Sequence, residues 1–393
     1  YKKGLFMNKH NAQKVLKQCK EMIMNISTSL FISEFNNKVE NISNISQNEI
    51  YDFEKKNEKI VLSNVLNAYT NLYSTLSILN KNNTQKDSLF HLPNGKEYYE
   101  LYTQEITGSN RSIENIISIL ENTIATENNE LLTFIKKNPN SEININNNFS
   151  SSNNSNKIIS NIQLKMEKDF PKINKLSYTI KNLPNQLEDH IGPAFYIVSP
   201  IDNINDNTIY INKGSQYLNT PLFTNLAHEA FPGHLYQNCY FNNNNKYPIR
   251  NLIKNLGYIE GWASYVTQVA YNYSELDNYY RNLYKYNNSI VLCLSARADI
   301  GVHYENWSKK NIKEYFSKNN CPIDDEGINQ LYNIIIEEPG DYLPYAIGYI
   351  EIHRLLKNAE KKYGDDFNLK KFHTALLDAG PAPFSSIKSH INY

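Results

Sequence analysis

From about Asn11 to Lys136 apolar residues recur every three or four positions, as in Ile60, Val61, Val65, Leu66, Tyr69, Leu72 and Tyr73, with few glycine or proline breaks. That spacing predicts a series of amphipathic helices. Leu92-Pro93-Asn94-Gly95 reads as a turn between two of them, and Glu97-Tyr98-Tyr99 restarts the helical pattern. From Asn138 to Asn156 the chain becomes NPNSEININNNFSSSNNSN, a polar tract with too little apolar surface to order itself, which predicts a loop or linker. Two short β-branched and aromatic runs, Ala194–Val198 and Thr208–Asn212, are bounded by Pro, Gly, Asn and Asp and predict strands. Helical periodicity returns over 222–238, 257–272, 278–300, 324–337, 343–362 and 367–378. The expected fold is mainly α with a small β-sheet just before the second helical stretch. Three regions follow: a helical lobe over 1–137, the Asn/Ser-rich loop over 138–157, and a chemistry-bearing region over 158–393.

A chain of 393 residues can bury a large core. Its 40 basic and 40 acidic residues balance, so no overall field draws it to nucleic acid or to an anionic membrane. Tyr at 30 exceeds Phe at 16, which suits a folded protein with polar-tipped aromatics along grooves. Cys19, Cys239, Cys293 and Cys321 lie far apart and form no CxxC pair, which argues against a thiolate zinc knuckle or a dense disulfide framework. No apolar run approaches the roughly 18 residues of a membrane span. The chain begins at Tyr1 with no signal-peptide pattern, which reads as a piece of a larger protein. Oligomeric state has no signature here.

The central chemical signal is His228-Glu229-Ala230-Phe231-Pro232-Gly233-His234. In an HExxH helix two histidines four residues apart share one face and one Zn²⁺, and the adjacent Glu activates water. Here the histidines are six residues apart. On an ideal helix that step turns the second ring about 240° from the first, so the backbone must deviate between them. Pro232 removes an N–H that would bond the carbonyl of His228, and Gly233 tolerates unusual dihedrals, so the pair predicts a break that re-aims His234. Glu260, in Tyr258-Ile259-Glu260-Gly261-Trp262-Ala263, follows His234 by 26 residues, enough for a loop and a returning helix. Two His and one Glu leave one position open on a single Zn²⁺, as catalytic rather than structural sites do.

HEAFPGH followed by EGWA, then Asp299-Ile300-Gly301-Val302-His303, Tyr345-Ala346-Ile347-Gly348-Tyr349, and Phe372-His373 through Gly380-Pro381-Ala382-Pro383, resembles the bacterial family called domain of unknown function 885. The resemblance runs from about Leu92 to the C-terminus; the first ninety residues match in helical character alone. It implies a gluzincin-like helical metallopeptidase, with Glu229 passing a proton from water to the leaving amine of a peptide substrate. It also favours an extracytoplasmic or cell-surface setting. A zinc amidase acting on a non-peptide or cell-wall substrate, and a surface module stapled by its metal without catalysis, remain alternatives.

The oxyanion formed in amide hydrolysis calls for a donor besides the metal. Tyr342-Leu343-Pro344-Tyr345 resembles a gluzincin helix entry, making Tyr345 the first candidate and His303 the second. His303 reads equally well as a core histidine. Tyr349 and Arg354 follow on the same helix, where Arg354 could receive a substrate carboxylate or simply be solvated. Asp299 could orient a ligand histidine. Thr208–Asn212, with Tyr210 and Asn212, could be an edge strand that pairs with an extended peptide, or a plain sheet edge.

Overall fold

A computed structural model describes residues 6–139, 148–174, 176–189, 191–200, 202–214 and 221–391. The chain divides into two compact units, Tyr1–His91 and Leu92–Tyr393. In the first, α1 (Lys9–Met24) packs on α4 (Leu66–Lys81), and α2 (Leu30–Glu40) on α3 (Gln47–Ile60), with a π turn over Val61–Val65. Ala12, Cys19, Val39, Ile50 and Val61 form its buried side. Reciprocal bonds start α3: Ser46 Oγ accepts from the Glu49 N–H at 3.3 Å, and Glu49 Oε2 accepts from the Ser46 N–H at 2.8 Å.

The second unit begins with α5 (Gly95–Thr107) and α6 (Ile113–Lys137). These helices therefore do not belong with the N-terminal lobe, because α6 lays its Ile113, Ile116, Leu120 and Ile124 stripe against a later helix of the same core. Of the polar tract, 140–147 lie outside the described residues. The loop reading fails at its end, where α7 (Ser155–Met166) starts behind Asn154, whose Oδ1 accepts from the Lys157 N–H at 3.1 Å. Ile158, Ile159 and Ile162 bury its inner face.

A three-stranded sheet follows, of β1 (Thr179–Asn182), β2 (Ala194–Ile197) and β3 (Thr208–Ile211), in the order β1-β3-β2. β3 runs parallel to β1 and antiparallel to β2. The Thr208–Asn212 run is thus the centre of the sheet and not an edge. The sequence pattern missed β1, whose Thr-Ile-Lys-Asn is short and mostly exposed.

The rest is helical: α8 (Leu222–Glu229), α9 (His234–Asn244), α10 (Leu256–Ala270), α11 (Asn278–Tyr304), α12 (Lys309–Lys318), α13 (Asp325–Glu337), α14 (Tyr342–Tyr363), α15 (Leu369–Ala379) and α16 (Phe384–Ile391). α11 packs on α6 and α14, and α10 lies along α14 at the centre. That central approach is set by small residues: a Cβ on Gly261 would come within 2.4 Å of the Gly348 backbone, so both helices need glycine there. Asn255 caps α10, its Oδ1 accepting from the Tyr258 N–H at 2.9 Å. Tyr258, Trp262 and Val266 are fully buried along α10, each stabilising the packing by roughly 1.5–3 kcal/mol through lost apolar exposure.

Candidate metal centre

α8 ends at Glu229 and α9 begins at His234, so the chain breaks where Pro232 and Gly233 predict. Across the break the Phe231 N–H reaches back to the carbonyl of Leu226, and the Phe231–Pro232 peptide is cis. Gly233 is required by space: a Cβ there would lie 1.7 Å from the carbonyl oxygen of His228. The buried indole of Trp262 donates from Nε1 to the carbonyl of Pro232 at 3.0 Å, fastening the break to α10.

The break brings the two histidines together. Their ring centroids lie 4.7 Å apart with the planes perpendicular. Glu260 Oε2 lies 3.3 Å from Nε2 of His234 and 3.7 Å from Nε2 of His228. One ligand atom from each of the three residues falls within 4.8 Å of the others. Glu260 Oε2 is buried and accepts no well-formed hydrogen bond. Burial acts to raise the Glu260 carboxyl, yet the two crowding imidazoles hold it well below the usual carboxylate range. Burial likewise opposes charge on His234, but Glu260 beside it and then Glu229 raise its pKa. A buried orphan oxygen facing two imidazole nitrogens is the arrangement a metal cation satisfies, and the donor set suits an ion of intermediate softness.

Glu229, half-buried beside His228, accepts on Oε2 from the backbone N–H of Tyr196 at 2.9 Å. Tyr196 lies on β2, an edge strand, and its ring is itself fixed: the hydroxyl donates to Asn207 Oδ1 at 2.6 Å and accepts from Asn238 Nδ2 at 2.8 Å. The ring of Tyr345, in the first turn of α14, stacks 6.1 Å from that of His228. Burial first, then Glu260, Asp341 and Glu229, push its phenol far above the ordinary value, so it stays a proton donor.

Other candidates lie elsewhere. His303 is fully buried, donates from Nε2 to the carbonyl of Ile335 at 2.9 Å and rests 5.5 Å from the Tyr99 ring, so it is a core residue and not a second donor beside the His-His-Glu group. Asp299 orients no ligand. It accepts from the Tyr99 hydroxyl at 2.5 Å and from the Gly340 N–H at 2.9 Å, which fixes the entry to α14. Asn212 spends its side chain on the β1–β2 connection, donating to the carbonyls of Glu188 and Ile191, each at 2.8 Å. Tyr210 stacks 5.1 Å from Phe195 on the central strand. Tyr349 donates to Gln268 at 3.2 Å, and Arg354 lies half-exposed 3.6 Å from Glu351; both line a separate cavity. Two neighbours of the site had no motif to mark them: the Tyr196 N–H, which any residue would supply, and Asp341, whose carboxyl is pushed up to about 6 by burial, Glu338 and Glu260.

Fold and site together define a mainly helical protein with a His-His-Glu group that could hold a metal ion. The chain belongs to the family described as bacterial protein of unknown function, DUF885, which matches residues 1–391 and so takes in the first ninety residues as well. Its structure is similar to that of a candidate lipoprotein from Colwellia psychrerythraea, with 21% identity over 98% of this chain and 70% of that one and a TM-score of 0.84. It is also similar to a candidate lipoprotein of unknown function from Shewanella oneidensis, with 16% identity over 98% and 73% and a TM-score of 0.67. No curated protein matches it. No described helix is long and apolar enough to cross a membrane.

Because the three side chains converge in the folded chain alone, an ion bound by them would stabilise that state by about 2.7 kcal/mol at a hundredfold excess over Kd. Chelation is therefore expected to lower Tm by about 5 °C or more, with recovery when a divalent metal is restored. Scanning calorimetry reads this directly, and an unchanged Tm across all added metals would remove the ion from the site.

Proposed function

We propose that this chain is a zinc-dependent peptidase whose centre is His228, His234 and Glu260, with Glu229 as its general base. The supporting observation is the convergence of the three ligand atoms within 4.8 Å, with a carboxylate on the residue after the first ligand. Two imidazoles and one carboxylate are the donors of many hydrolytic zinc sites, and no thiolate joins them. Zinc held by His228, His234 and Glu260 would supply Lewis acidity there.

The chain's own residues do the rest. The Tyr196 N–H holds one oxygen of Glu229, leaving the other to take a proton from water and return it to the leaving amine. Tyr345, kept protonated, donates to the oxyanion as the carbonyl becomes tetrahedral. A peptide is the substrate class this chemistry serves, and one ion suffices. Both structural relatives are named as candidate lipoproteins, which supports a cell-surface setting in which extracellular peptides are met.

The test is digestion of a peptide library by purified protein, chelated and then reloaded with zinc, with Tyr345→Phe alongside. The reloaded protein should cleave, the chelated protein should not, and Tyr345→Phe should lose about 100-fold in kcat at full zinc content. Cleavage of cell-wall amides with no cleavage of peptides would move the assignment to an amidase, and chelator-insensitive cleavage would end it.

A further inference from the structure

The buried stripe of α6 runs Ile113, Ile116, Leu120, Ile124 and then Glu127. Helical spacing thus carries a carboxylate onto a face otherwise made of isoleucine and leucine. Glu127 is only 9% exposed, and Ser289 on α11 donates its hydroxyl to one carboxylate oxygen. Among the described residues no Lys, Arg or His side chain pairs with it. A carboxylate accepts at about four positions, so one hydroxyl leaves it far from satisfied. Burial, with Glu130 one turn on, pushes its carboxyl up to about 7, against the pull of Ser289. An isolated buried carboxylate normally costs several kcal/mol and persists where something offsets it.

What faces Glu127 is a cavity of about 340 Å³ between α6 and α14, bordered by Thr123, Glu130, Tyr349, His353 and Arg354. That volume lies at the small end of the roughly 300–1,000 Å³ of small-molecule sites. The α14 wall carries surplus positive charge. Glu351 Oε1 already meets the guanidinium of Arg111, with Nε at 3.0 Å, so the second guanidinium near it, Arg354 at 3.6 Å, keeps free donors. A carboxyl group with no cationic partner on one wall and a guanidinium with spare donors on the other border the same small space.

We propose that this cavity binds a free amino acid, its ammonium on Glu127 and its carboxylate on Arg354. None of these residues is a ligand or neighbour of the His-His-Glu group, so the site is distinct from the metal centre and does not depend on the peptidase reading. An ammonium supplies the cation that Glu127 lacks, and a planar guanidinium receives a carboxylate through paired N–H donors. The half-exposed Arg354 gives the ligand its way in.

The experiment is calorimetric titration of the chelated protein with glycine, L-leucine and L-lysine, so that metal-dependent binding is removed from the start. At least one should bind with a saturable 1:1 isotherm. Its N-acetyl form, lacking the ammonium, and Glu127→Gln should each weaken binding tenfold or more, and the amide form and Arg354→Ala should each weaken it about threefold or more. The ligand series on unaltered protein decides the matter even if Glu127→Gln folds poorly. No saturable binding of any of the three, equal binding of the N-acetyl form, or binding that appears only when zinc is present would overturn the proposal.

Discussion

Glu229→Gln is expected to lower peptide turnover by about 1,000-fold while leaving zinc content and Tm unchanged. The substitution keeps an amide oxygen where Glu229 Oε2 accepts the Tyr196 N–H at 2.9 Å, so the side chain stays in place. It removes the ability to take a proton and nothing else of comparable size. Elemental analysis and kcat measured on the same preparation separate the two effects. Full loss of zinc would make Glu229 a structural support, and undiminished turnover at full zinc would show that the protein's activity does not pass through this carboxylate.

Gly233→Ala is expected to act through assembly of the site instead of its chemistry. The added methyl would stand 1.7 Å from the His228 carbonyl oxygen and 2.6 Å from that of Ala227, both backbone atoms held by α8. Neither can move without unwinding the turn that carries the first ligand. Overpacking of this kind costs about 3 kcal/mol, and relief of the clash would swing His234 away from its partners. The variant should therefore lose zinc stoichiometry and activity together, with a lowered midpoint in chemical denaturation. Normal zinc content in a variant of normal stability would show that the break tolerates a side chain.

The His-His-Glu group that could hold a metal ion was legible because the spacing of its histidines is local. A six-residue step between two histidines, with a proline and a glycine inside it, left few ways to share an ion, and Glu260 stood one helix further on. The family resemblance pointed the same way, and the main helices followed from their apolar spacing. What could not be read depends on non-local partners. Whether a strand is an edge is decided by its neighbours, and β1 joins β3 across about thirty residues, turning the Thr208–Ile211 run into the sheet centre. His303 and Asp299 are residue types that serve cores and active sites alike, and their bonds to Ile335, Tyr99 and Gly340 exist only after folding. The polar tract after Asn138 looked like a boundary by composition, yet α6 before it and α7 after it pack in one unit. A backbone N–H such as that of Tyr196 leaves no mark in a sequence at all.

The indole–carbonyl bond between Trp262 and Pro232 ties the hinge of one ligand-bearing segment to the helix that supplies the remaining ligand. The spacing of the three side chains that could hold a cation is thus tied to core packing. A cation bound there would meet donors already placed by the fold, and selectivity among cations would rest on how little the three will yield.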